Sequence, residues 1–150
     1  NTTVHGTVHD MGAAMMNGVA GHAGLFANAN DLAKMMQMYL NGGYYGGHRY
    51  FQESTVQLFS GCAFCELQNR RGLGFDRKQL EEGPGPSCTC ASEQSFGHTG
   101  FTGTMVWMDP KEDLLYIFLS NRTFPDAENW KLSKLDVRTN IQEYIYDALN

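Results

Sequence analysis

The chain has 150 residues, enough for one domain with a sizeable core, and its composition (42% hydrophobic, 12% aromatic, 18% charged) is that of a globular protein. Its formal net charge is −5 with acids and bases intermixed, so no basic stripe marks it as a nucleic-acid binder. No apolar run is long enough to span a bilayer, so no membrane span is expected.

The chain opens on "NTTVHG", without Met or a signal-like apolar segment, and is expected to be a portion of something longer. His5 and His9 stand four apart with Asp10 alongside. Gly6, Thr7 and Val8 between them disfavour the helix that would gather both imidazoles on one face, so no metal is expected there. Gly18, Gly21 and Gly24 recur at every third position in "GVAGHAGLF". That spacing follows no strand and is not a dinucleotide fingerprint, so the stretch reads as a packed loop.

A helix follows, with Asn28 or Asn30 as its cap. Leu32, Met35, Met36, Tyr39 and Leu40 form its apolar stripe and Gly42-Gly43 its end. The methionines at 35, 36 and 38 read as core rather than as a copper site. A shorter helix is predicted over 53–59. "RRGLGFD" (Arg70 to Asp76) reads as a short strand, and "EEGPGPSCTCASEQ" as a surface loop dense in turn formers.

Cys62, Cys65, Cys88 and Cys90 are spaced as C-x-x-C and C-x-C. The pattern is compatible with a structural zinc site, with disulfides in an oxidising compartment, or with free thiols.

Next comes "SFGHTGFTGTMVWMDP", where small polar triplets stand at the head of a strand. Strands are predicted over 104–108 and 114–120, joined by "DPKED" and therefore antiparallel. "LLYIFLS" is apolar without alternation, which predicts a central strand covered on both faces. A last helix is predicted over 133–149, with Ser133 and Asp136 as a capping box. Val137, Ile141, Tyr144, Ile145 and Ala148 would form its buried stripe. The sum is an α+β fold with a short antiparallel sheet and packed helices.

The order of these elements, "GVAGHAGLFANANDLAKMMQMYLNGG" and then "FGHTG", resembles the C-terminal part of the serine β-lactamase and penicillin-binding-protein superfamily, class C-type, esterase and peptidase branch. "NRRGLGFDR", "SFGHTGFTGT" and "YIFLSNRTFP" are similar to the β-lactamase-related domain that follows a family-three glycoside hydrolase, of the β-N-acetylglucosaminidase type, in Bacteroides-like bacteria.

The resemblance implies that residues 1–150 are the C-terminal portion of a serine hydrolase domain, secreted or periplasmic and without a cofactor. Its substrate would be a small-molecule or peptidoglycan-type compound. His98 stands where the family usually has lysine, and would help set the field around the nucleophile. Thr99 would offer its hydroxyl to the substrate, and Gly100 would let the substrate lie along the strand. The Phe101 backbone N–H would be an oxyanion donor, and Thr102 and Gly103 would line the substrate site.

Histidine for lysine removes a permanent cation and tilts the expectation from β-lactam hydrolysis towards an esterase or peptidase. No serine here has a lysine three residues later, so the S-x-x-K nucleophile and the Y-x-N motif are expected in the missing N-terminal part of the same domain. Tyr39-Leu40-Asn41 matches Y-x-N by letters only. Without that partner the sheet would keep an exposed edge, inviting homo-oligomers. A non-catalytic module beside the glycosidase and a zinc-stabilised module are the alternatives.

Overall fold

The computed structural model describes residues 5–81 and 83–149. A four-stranded antiparallel sheet runs in the order β3 (Asp76–Arg77), β4 (Phe96–Thr99), β5 (Met105–Asp109), β6 (Leu114–Phe118). The fold is α+β, as the element pattern predicts.

Helix α2 (Ala29–Leu40) covers one sheet face. It starts where the Asn28 side chain accepts from the Asp31 N–H at 3.0 Å, and ends at Asn41. Met36 packs with Phe96 and Met108, and Tyr39, Leu40, Phe75, Val106 and Leu115 close around them. Met35, expected in the stripe, is 40% exposed, whereas Met38 is buried. The other sheet face carries Met105, Trp107 and Tyr116 against Ile145 of α5 (Val137–Asp147). Successive β5 side chains take opposite faces, Val106 and Met108 towards α2 and Met105 and Trp107 towards α5, and because both faces are covered the strand is buried almost throughout.

β6 is where the expectation is corrected. Leu115 packs on the α2 side, and Phe118 against the cluster that Ile145 joins, so its continuous apolar run does report two covered faces. In strand order, however, it is outermost, and among the described residues nothing pairs with its outer edge. Face burial and position in the strand order are separate properties, and the run encodes only the first.

Four further expectations fail. Of "RRGLGFD" only its last residue, Asp76, is strand, continuing into Arg77, because Gly72 N–H bonds to Phe75 O at 3.0 Å and folds the segment back on itself. The last helix is two: α4 (Lys131–Lys134) and α5, broken at Asp136, whose φ of 48° is left-handed. Asp136 makes no side-chain cap bond, so no capping box forms with Ser133. The buried face of α5 is Gln142 and Tyr146, while Ile141 and Tyr144 are exposed.

Two elements are unforeseen. The short helix α1 (Met11–Met15) is capped by Asp10, which accepts from Ala13 N–H at 2.7 Å. A hairpin pairs β1 (Tyr44–Tyr45) with β2 (His48–Arg49) across Gly46-Gly47, before α3 (Glu53–Ser60).

The four cysteines form two disulfides, Cys62–Cys65 and Cys88–Cys90. Their sulfurs are therefore not the four ligands that a zinc-stabilised module requires, and that alternative is withdrawn. Among the described residues no helix is long and apolar enough to cross a membrane.

Candidate active site on the H-T-G strand

The site residues begin on β4. β3 stops at Asp76, opposite Gly97, so it pairs with only the first half of β4. Beyond that point His98 and Thr99 pair with Val106 and Met105 on their inner side, and no described strand flanks them on the outer side. A half-paired strand end is a template along which an extended substrate can lie. His98 is exposed and Thr99 half-buried. Their pairing partners, Val106 and Met105, pack in different clusters on opposite faces, so the two side chains leave the strand on opposite sides.

Both nitrogens of His98 are engaged. Arg71 lies with its NH1 3.1 Å from Nε2, and Nδ1 is 2.8 Å from the Thr99 carbonyl. A guanidinium can only donate, so Nε2 accepts and Nδ1 carries the proton that Thr99 O receives. The pattern is that of the neutral Nδ1–H tautomer.

Arg71 is held in turn by Asp76, which is buried and also takes Arg70. The Arg70 Nε–Asp76 Oδ1 distance is 2.8 Å and the Arg71 Nε–Asp76 Oδ1 distance 3.4 Å. This corrects the expectation that the His98 site lacks a permanent cation. The cation comes from the loop before β3 rather than from the strand itself. The pair Arg70-Arg71 lies in the stretch whose composition predicts a strand, and the contact that brings Arg71 to His98 spans 27 positions, which no local pattern encodes.

After Thr99 the chain makes a tight turn. Gly103 N–H closes it onto Gly100 O at 2.9 Å, and Gly100 N–H bonds to Thr104 O at 2.8 Å. Each remaining carbonyl of the turn has a donor. Arg122 Nε reaches Phe101 O at 2.9 Å. Thr102 O receives both Arg122 N–H at 2.9 Å and Ser120 Oγ at 3.0 Å. Arg138 NH1 approaches Gly103 O at 3.4 Å. The backbone N–H groups of Phe101 and Thr102, by contrast, have no acceptor among the described residues. A turn whose carbonyls are consumed and whose N–H groups are left over can receive negative charge without reorganising.

The glycines have an internal explanation. A Cβ at Gly100 would collide with Thr104 Oγ1. Gly103 has a φ of 93°, and a Cβ there would meet Ser120 Oγ and the Arg122 side chain. The room expected at Gly100 and Gly103 for a substrate is room that the turn itself uses. Gly103 is buried, whereas Phe101 is 54% exposed and Thr102 half-buried.

His9 is not gathered with His5 into a metal cluster, and among the described residues no group of three His, Cys, Asp or Glu could hold one. Its ring instead lies 5.3 Å from that of Phe101. His22, in the glycine-rich loop, bonds the α1 cap Asp10 at 2.8 Å.

Compared with known proteins, residues 2–138 match the Beta-lactamase family profile. The chain belongs to the beta-lactamase family. It is 40% identical over 122 residues to an Escherichia coli (strain K12) protein provisionally named D-alanyl-D-alanine carboxypeptidase, covering 81% of this chain and 28% of that one. A Salmonella enteritidis protein with the same provisional name is 37% identical over 132 residues, covering 87% and 30%. The chain thus spans less than a third of the length of these relatives. In fold it resembles the crystal structure of a beta-lactamase from Mycobacterium bovis, with a TM-score of 0.64 and 23% identity over 85% of this chain and 46% of that one. The α+β architecture is therefore that of a partial beta-lactamase-like domain.

Proposed function

We propose that these residues are the C-terminal portion of a serine hydrolase domain of esterase, peptidase or amidase type, and that the turn after H-T-G is one wall of its active site. The observation that carries this reading is the turn itself, with free N–H groups at Phe101 and Thr102 beside an open strand end and a cationic Arg71–His98 pair. When an upstream serine attacks an acyl carbonyl, negative charge develops on the carbonyl oxygen. A preorganised N–H at that point contributes about 2.7–4 kcal/mol to catalysis. In this reading the Phe101 N–H takes that role, with His98, Thr99 and Gly100 along the strand, Thr102 completing the substrate wall and Gly103 supporting it from within the turn.

The provisional names of the E. coli and Salmonella relatives support a peptidase on peptidoglycan-type peptides ending in D-alanine. Two disulfides fit a secreted or periplasmic setting. The segments "NRRGLGFDR" and "SFGHTGFTGT" support the finer reading of a domain joined to a β-N-acetylglucosaminidase in cell-wall turnover.

The nucleophile and its lysine are assigned to the N-terminal part of the same domain, which would also cover the outer edge of β6. The 150 residues alone are then expected to self-associate through that edge, which light scattering reads directly. The functional test is release of D-alanine from an acyl-D-alanyl-D-alanine peptide by the full-length protein. Turnover that needs both parts supports the hydrolase, and a full-length protein that binds the peptide without cleaving it identifies a pseudoenzyme.

A further inference from the structure

Arg122 is a buried cation without a counterion. Its side chain is 7% exposed, and no carboxylate among the described residues lies within ion-pair distance. Burying an unpaired charge is costly, so a residue of this kind has to be held by many neutral contacts. Arg122 is. Its Nε donates to Phe101 O at 2.9 Å, and its NH1 donates to Ala127 O at 2.9 Å and Asn129 O at 3.2 Å. Its guanidinium carbon stands 3.8 Å from the centre of the Trp130 ring and 4.7 Å from that of Phe101. The guanidinium therefore lies against both rings, which stand nearly perpendicular to each other at 80°, while its N–H groups reach the carbonyls around them, a combination of contact and directed donors that lysine does not reproduce.

One side chain thus ties the loop after β6 to the turn after β4, and Arg122's own backbone N–H adds the bond to Thr102 O.

We propose that Arg122 is a positioning residue for the acyl-transfer site: it holds the Phe101 carbonyl and ring and the Thr102 carbonyl, fixing the Thr102 N–H on the clamped peptide directly and the Phe101 N–H, one peptide upstream, through the Phe101 residue that carries it. This rests on the hydrolase reading above, and goes beyond it by naming what holds the oxyanion donor still. The bond to Phe101 O, the contact with the Phe101 ring and the Gly103 N–H bond to Gly100 O together restrict both peptides of Phe101, so neither free N–H can swing away. A donor fixed before the reaction contributes more than one that must be ordered during it.

Two variants separate the parts of the clamp. Arg122→Lys keeps the charge but loses the fork and the stack, and Arg122→Met keeps apolar bulk without donors. In the full-length protein, amide ¹⁵N relaxation at Phe101 and Thr102 reads the turn directly. The expected order parameter is about 0.85 for the wild type, falling below about 0.6 in both variants. The amides of Ser92 and Lys111, at the far end of the sheet, should hold their wild-type values and so report an intact fold. Should both Arg122 variants lose the fold, Trp130→Leu removes one stacking ring without touching a donor to the turn and should give an intermediate loss of order.

In the full-length protein, Arg122→Lys is expected to lower kcat on the acyl-D-alanyl-D-alanine peptide about tenfold or more with KM within about twofold, the signature of an interaction made in the transition state. Unchanged order parameters in both variants overturn the clamp. A mobile turn with unchanged kcat overturns its role in positioning. A wild-type full-length protein without turnover overturns the hydrolase reading, and with it the catalytic purpose of the clamp. An active wild type with an unaffected Lys variant overturns the clamp alone.

Discussion

β4 and β5 run between two polar sites that differ in one respect. At one end Asp109 is buried and fully engaged. It accepts from Ser92 N–H at 2.8 Å, Ser92 Oγ at 2.5 Å, Tyr146 OH at 2.6 Å and Lys111 N–H at 3.1 Å. At the other end, past Thr99, the carbonyls are engaged but two N–H groups are left over, beside an exposed His98 and an exposed Arg71. The first arrangement fastens the Ser92 loop and α5 to the sheet and has nothing to offer a ligand. The second spends its internal bonds on rigidity and keeps its donors. A buried polar group with every bond made, such as Asp109, marks structure here, and the proposed site falls where satisfaction is incomplete.

The widest separation between the two ends should appear on substitution at each. His98→Ala in the full-length protein is expected to lower turnover by about ten- to a thousandfold while the melting temperature stays near wild type. Steady-state kinetics with a thermal melt checks both halves, and unchanged kinetics would reduce the H-T-G strand to structure. Asp109→Ala should do the reverse. It removes the acceptor shared by Ser92 N–H, Ser92 Oγ, Lys111 N–H and the Tyr146 hydroxyl, costing about 3 kcal/mol in denaturant unfolding, with the Phe101 and Thr102 amide signals unmoved. Tyr146→Phe removes one bond of that network and should cost about 1.5 kcal/mol. Near-zero cost in both would mean that α5 is held by its apolar contacts alone.

A smaller effect follows from acid. Burial works to raise the Asp109 carboxyl, but the hydrogen bonds from Ser92, Tyr146 and Lys111 outweigh it and hold the group below the usual carboxylate range. Because the folded value is depressed, this stabilisation is complete above the unfolded carboxyl's titration. It is lost as pH falls through the folded value, below about pH 4. The stability gap between wild type and Asp109→Asn should therefore close on acidification. A gap constant from neutral pH down to about pH 2 would contradict the ionised, hydrogen-bonded Asp109.

Much of the sheet-and-helix frame was legible in the sequence, because its signals are local. Asn28, the periodic Met36 and Tyr39, and Gly42 delimit α2 within a residue or two, and the short "DPKED" connection dictates antiparallel pairing. The unread features come from contacts distant in sequence. Arg71 meets His98 across 27 positions, and Arg122 meets Phe101 across 21. No periodicity encodes either. The break at Asp136 was hidden because the residues on both sides favour helix, and only the left-handed φ divides them. The hairpin at Gly46-Gly47 was readable in principle, as two glycines between aromatic and basic residues. Its strands are two residues each, too short for alternation to register.

In the proposed function this chain holds one wall of a serine-hydrolase site and the nucleophile lies elsewhere in the same domain. The most direct test is D-alanine release from an acyl-D-alanyl-D-alanine peptide, measured side by side for the 150-residue chain and the full-length protein. Turnover is expected from the full-length protein and none above buffer from the 150-residue chain. Clear turnover by the chain alone, as a well-behaved monomer, would contradict this reading.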